Sequence, residues 1–166
     1  MRVLVGIGIL LGAALLQVTL VMRITLLQGS ADLVLLILIS WMLQPGNKPD
    51  WKWGLPAGLM LGYASGLPDW VLVAGYAGAA GICQLLKQRI WQGQLLALLS
   101  ATVLGTLCIH LVTLSFLFLS ADPIDAVEAL NVITIPSMLL NLIFILPVHA
   151  IMSELSKLIS PTEQPA

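Results

Sequence analysis

Apolar residues run along this chain in blocks too long for a soluble core. No Asp, Glu, Lys or Arg lies between Arg2 and Arg23, between Asp69 and Lys87, or between Arg89 and Asp122. Uncharged apolar runs of about 18 residues or more read as membrane-spanning helices. The pattern predicts six spans: Val3 to Met22, Asp32 to Leu43, Gly54 to Pro68, Trp70 to Leu86, Leu95 to Leu119 and Val132 to Met152. The second is short and needs extension at both ends. The third and fourth, at ~24 Å each, fall below the ~30 Å hydrocarbon thickness, so bilayer thinning is expected around them. The first run is too long for a signal-peptide core and lacks a small-x-small cleavage pattern. It reads as a span.

Composition agrees. The 166 residues are 59% hydrophobic and 9% charged, with a mean hydropathy of +1.02. Soluble domains carry about 25% charged residues, so this chain could not coat a soluble globule. The expected class is an all-α integral membrane protein. Residues 1–155 form a single six-helix domain, and residues 156–166 form a polar cytoplasmic tail. Six of the seven basic residues (Arg2, Lys48, Lys52, Lys87, Arg89 and Lys157) fall on one side if the N-terminus is cytoplasmic. The positive-inside rule then puts both termini inside. The acidic stretch "SADPIDAVEA" falls outside, where Asp122, Pro123, Ile124, Val127 and Leu130 suggest a capped amphipathic helix lying on the membrane surface. No basic cluster exists to hold a nucleic acid. Cys83 and Cys108 sit within apolar runs and read as small hydrophobes.

Glycines recur at 54, 58, 62 and 66, and again at 8 and 12. Residues four apart stack on one helix face, so each set predicts a groove without side chains. In lipid such small-residue faces let backbones approach closely. Gly54, Gly58, Gly62, Gly66, Gly8 and Gly12 are therefore packing candidates. The expected use is a tight meeting of spans three, four and one, or a face left open for a partner helix. Asp69 ends the line. It reads either as a cap on the fourth span or as an outward polar contact.

Candidate chemistry is sparse. Ionisable groups inside a membrane usually mark function, and here they are His110, His149 and Glu154. The two histidines lie ~17 Å apart along the membrane normal, too far to share a metal whose ligands sit ~2 Å away. Asn141 lies between Pro136 and Pro147. Prolines free backbone carbonyls, which fits either a broken transporter helix or a kinked helix with Asn141 bonding across to a neighbour. No serine–histidine–acid set, phosphate loop or H-E-x-x-H motif occurs. Neither catalysis nor a cofactor or metal is expected.

These stretches, in order, resemble the rod shape-determining MreD family of bacteria. "LLQVTL" before Arg23 resembles that family's first helix. "GSADLVLLILIS" is similar to its G-x-x-P-D-L-x-L-L pattern at Gly29, Asp32 and Leu33, with Ala31 in the usual proline position. "GLMLGYASGLPDW" matches at Gly62, Tyr63, Gly66, Leu67 and Asp69, though the aspartate comes one residue early and the following linker is compressed. "AGYAG" matches at Gly75, Tyr76 and Gly78. The last span matches through its early proline and Asn141.

The resemblance implies a non-catalytic scaffold of the cell-elongation machinery in the bacterial inner membrane. It implies direct association with MreC, a single-span protein with an extracytoplasmic domain. Indirect association would extend to MreB, a SEDS glycosyltransferase and a class B penicillin-binding transpeptidase. It also implies a fold like the substrate-binding S components of energy-coupling-factor transporters, which supplies the rival reading of a vitamin-binding module. Such a module needs a polar and aromatic cage. The outer loops, short and holding few aromatics, are expected to offer a ligand little grip. Asp32, Asp69 and Asn141 are the polar contacts to locate.

Overall fold

The computed structural model describes the chain except residues 1, 20, 22–24, 46, 48–49, 90–92, 121–124 and 160–166. Its elements are helix α1 (Arg2–Thr19), strands β1 (Thr25–Leu26) and β2 (Gly29–Ser30), helix α2 (Leu33–Leu43), a 3-10 turn (Trp51–Trp53), α3 (Gly54–Gly62), α4 (Asp69–Arg89), α5 (Gln94–Leu119), α6 (Ala126–Ala129), a π turn (Leu130–Thr134) and α7 (Ile135–Ile159). Three stretches are long and apolar enough to cross a membrane: Asp69–Gln88, Gln94–Leu119 and Val127–Leu158. They make this an α-helical membrane protein.

The short helix α2 is the centre. It is apolar all round, and such a helix is one that neighbours enclose. Val34, Leu35, Leu36, Leu38, Ile39, Ser40, Trp41, Met42 and Leu43 are all buried. Packed around it are α1, α3, α4, α5 and α7. At its far end the Lys87 ammonium donates to the carbonyls of Met42, Gln44 and Asn47 at 2.8, 2.7 and 2.8 Å. One side chain thus satisfies carbonyls that the helix end leaves open.

The glycine line divides. Gly54 and Gly58 lie against the backbone of α4. A Cβ on Gly58 would sit 2.5 Å from Val73 Cα and 2.8 Å from the Leu72 carbonyl oxygen, and one on Gly54 would meet the Tyr76 carbonyl and lie 2.5 Å from Ala77 Cα. Gly62 is looser, 3.0 Å from Asp69 Cα by the same measure. Gly66 is not on the helix. The Ser65 hydroxyl donates to the Gly62 carbonyl (3.3 Å) and accepts from the Leu67 N–H (3.2 Å). This local bonding competes with the helix ladder and ends α3 before the expected Pro68. Gly8 and Gly12 also depart from expectation, since a Cβ on either would meet nothing within 4 Å. On α1 it is Gly6 that has no room, since a Cβ there would lie 2.6 Å from Trp53 Cη2. Of the expected meeting of spans three, four and one, the glycine-lined part is the α3–α4 contact, while α1 meets α3 without Gly8 or Gly12 and α2 sits at the centre.

Two further expectations change. The separate surface helix is not separate: α6 runs through the π turn into α7. Asp125 caps it, its carboxylate accepting from the Val127 N–H at 2.9 Å, while Asp122, Pro123 and Ile124 lie outside the described residues. At the other end α7 continues past the expected boundary at 155 to Ile159, and residues 160–166 lie outside the described residues.

The α3–α4 contact predicts a graded response. Gly58→Leu should lower stability in detergent by about 1–3 kcal/mol, the usual cost of overpacking. Gly62→Leu should cost less, and Gly8→Leu should be close to neutral. Thermal melts of the three variants check the order. A Gly8→Leu loss matching that of Gly58→Leu would contradict it.

Candidate functional site

The N-terminus of α2 is packed among its neighbours, and protein groups take three of its first four N–H groups. The Asp32 N–H donates to Asn141 Oδ1 at 2.7 Å, and the Leu33 N–H donates to Gln17 Oε1 at 2.7 Å. The Leu35 N–H donates to the Asp32 carboxylate at 2.9 Å. The carboxylate's other oxygen accepts from the Tyr76 hydroxyl at 2.6 Å. Asn141 in turn donates from Nδ2 to Thr106 Oγ1 at 2.9 Å. Gln17 donates from Nε2 to the Ala31 carbonyl at 2.8 Å. One node therefore takes a side chain from each of α1, α4, α5 and α7.

A second set of bonds seats the β1–β2 hairpin on α7. Pro136 has no N–H to offer the Val132 carbonyl four residues before it. The Ile135 N–H reaches back five residues to the Leu130 carbonyl. The Val132 carbonyl accepts instead from the Gln28 N–H at 3.2 Å. Beside it the Ser30 N–H donates to the Ser137 hydroxyl at 3.1 Å. Gly29 permits the approach, because a Cβ there would lie 2.6 Å from the Ser137 nitrogen and 2.7 Å from the Ile133 carbonyl oxygen. The early proline thus serves as a docking point for the hairpin. The helix runs on through Pro147.

Between the hairpin, α5 and the π turn lies a cavity of about 270 Å³. Its polar lining includes Gln17, Gln28, Ser30, Asp32, His110, Thr113, Thr134 and Ser137, and Leu61, Leu72, Ile109 and Leu114 line the apolar part. His110 is paired with Thr134, Nδ1 to Oγ1 3.0 Å. The outer loops are expected to offer a ligand little grip, and most of these polar groups stand on helices instead. The polar groups come from scattered positions on α1, the hairpin, the start of α2, α5, the π turn and α7. The aromatic half of a cage is not among the described lining residues.

The remaining candidates disperse. Asp69 is exposed in the first turn of α4, where its carboxylate lies near Gly62. His149 pairs with Gln94 at 3.2 Å, away from His110. Glu154 forms an exposed ion pair with Lys157 at 2.6 Å, a type of contact that contributes little. Cys83 and Cys108 are free thiols. Among the described residues no three His, Cys, Asp or Glu side chains gather into a metal-binding group. Gln17, Thr106 and Lys87 were not singled out from the sequence. For Gln17 a signal existed, since an amide in the apolar run "LLQVTL" has to find a partner inside the protein. Comparison with known proteins returned no matching family model, curated protein or solved structure.

The node sets an energetic expectation. Asn141→Leu leaves the Asp32 N–H and the Thr106 hydroxyl without their partner. An unsatisfied buried group costs about 1–3 kcal/mol, so a loss of about 2 kcal/mol is expected in detergent unfolding. Thr106→Val should cost less. The double variant should lose less than the sum, because the two share a bond. Strict additivity would contradict the shared bond.

Proposed function

We propose that this chain is a non-catalytic scaffold of the bacterial cell-elongation machinery, of the MreD kind, and that its hairpin-end cavity receives an extracytoplasmic segment of MreC. One observation carries the reading. Gly29, Asp32, Tyr76 and Asn141, which carry the sequence resemblance from separate stretches, meet at the start of α2 and the seat of the hairpin. Residues that form one joint give a physical reason for the motifs to occur together. The node is also closed. Its amides, hydroxyls and carboxylate are used on one another, which suits a rigid holder better than a catalyst.

In this reading the chain passes the inner membrane six times, through α1, α2 with its hairpin, α3 with its flanking turns, α4, α5 and α7. Both termini are cytoplasmic, as the split of basic residues favours. The hairpin end then faces outward, toward the extracytoplasmic domain of the partner. A second reading, a substrate-binding S component, is favoured by the cavity itself. Its ~270 Å³ lies just under the usual range for small-molecule sites, about 300–1,000 Å³.

Three measurements bear on this. Single cysteines in a background lacking Cys83 and Cys108 should react with an impermeant reagent from outside for Asp125→Cys but not for Gln88→Cys. The reverse pattern would contradict the orientation. Thr113→Phe, which fills the cavity, should reduce MreC co-purification about tenfold, equivalent to ~1.4 kcal/mol, with little change in melting temperature. Undiminished capture would contradict docking there. Native mass spectrometry of the gently purified chain should show no stoichiometric small molecule other than lipid, and one vitamin-like molecule per chain would favour the S-component reading.

A further inference from the structure

The hairpin-end cavity is lined by a carboxyl group that no described lysine or arginine faces. Of the residues lining it, Asp32 and His110 are the ionisable ones, and no described lysine or arginine is among them. The Asp32 carboxylate is held by neutral donors, the Leu35 N–H and the Tyr76 hydroxyl. His110 is turned toward Thr134. Dipoles that solvate an anion do not cancel its net charge, and apolar walls such as Leu61, Leu72 and Ile109 focus its field into the cleft. The other polar groups on the wall, Gln17, Ser30, Thr113 and Ser137, are neutral and can offer oxygen acceptors.

We propose that this cavity selects a cationic group, an ammonium or guanidinium, and that in the assembled complex a lysine or arginine side chain of the docking segment supplies it. The selectivity stands on the cavity alone. The identity of the carrier rests on the reading that MreC docks there. A charged partner of this kind would give specificity and fast encounter more than raw affinity.

The test reads the cavity's potential directly. In a full-length chain lacking Cys83 and Cys108, Thr113→Cys places a thiol on the wall. Its reaction rates with an ammonium-bearing and a sulfonate-bearing methanethiosulfonate are compared with those of a Tyr63→Cys thiol, at a position 91% exposed. The cation-to-anion rate ratio at 113 should exceed that at 63 about tenfold, the scale of one charge at close range in an intermediate dielectric. Adding Asp32→Asn should collapse it. Asparagine keeps the cap through Oδ1 and turns its Nδ2 to donate to the Tyr76 hydroxyl oxygen, so both contacts have a counterpart while the charge goes. Raising the salt should narrow the ratio without any substitution at Asp32. Equal ratios at 113 and 63 would overturn the proposal. So would a ratio that rises on Arg23→Gln, which would mean that the chain's own arginine balances Asp32.

MreC capture then decides the carrier. Loss of capture on Asp32→Asn together with a collapsed ratio supports a lysine or arginine of MreC. Capture undiminished by Asp32→Asn overturns that half and leaves a free amine as the cation. If the unsubstituted chain captures no MreC, the scaffold reading fails while the measured ratio still stands.

Discussion

A helix that begins packed among its neighbours must find protein partners for its first N–H groups, and α2 begins in such a place. Hydrocarbon offers nothing to these donors, and each one left open costs several kcal/mol. The chain meets the demand with Asp32 from the helix itself, Gln17 from α1 and Asn141 from α7. Tyr76 and Thr106 then fix the carboxylate and the amide in place. Four longer helices are thereby registered to one point, and the apolar packing around Leu35, Ile39 and Met42 follows from that register.

The same constraint accounts for the cavity. α2 is only 11 residues long, about 17 Å, so it cannot fill the bundle from one end to the other. The space beyond its N-terminus is partly taken by the β1–β2 hairpin. The hairpin can sit there because Pro136 leaves a carbonyl on α7 open and Gly29 lets the backbones approach. What the hairpin does not fill is the cleft beside α5. Its polar lining is what remains of groups recruited to seat the hairpin and start the helix. A short central helix, a docked hairpin and a polar cleft are one structural solution seen at three points.

Much of the architecture was legible from hydropathy, because long apolar runs without charges have few alternatives to helices. The α3–α4 contact was legible from glycine spacing, but only where the helix persisted. Gly66 was lost to a serine that ends α3, and Gly8 and Gly12 lie on a face of α1 that packs against nothing described. Spacing reports which residues share a face and cannot report where that face points. Asp32, Tyr76 and Asn141 each stood out as polar or motif residues. Their meeting did not, since it depends on contacts 44 and 109 residues apart in the chain. The docking use of Pro136 was equally hidden. Its missing N–H predicts an open carbonyl, and only the folded chain shows that Gln28 reaches it.

Amide hydrogen exchange on the full chain in lipid nanodiscs tests the anchoring role of this joint most directly. If the start of α2 registers the bundle, the Asp32, Leu33 and Leu35 amides should exchange only through global unfolding. They should then be as slow as amides in the middle of α4 and α5. Exchange of those three amides at the rate of an exposed turn, with α4 and α5 still protected, would contradict the account.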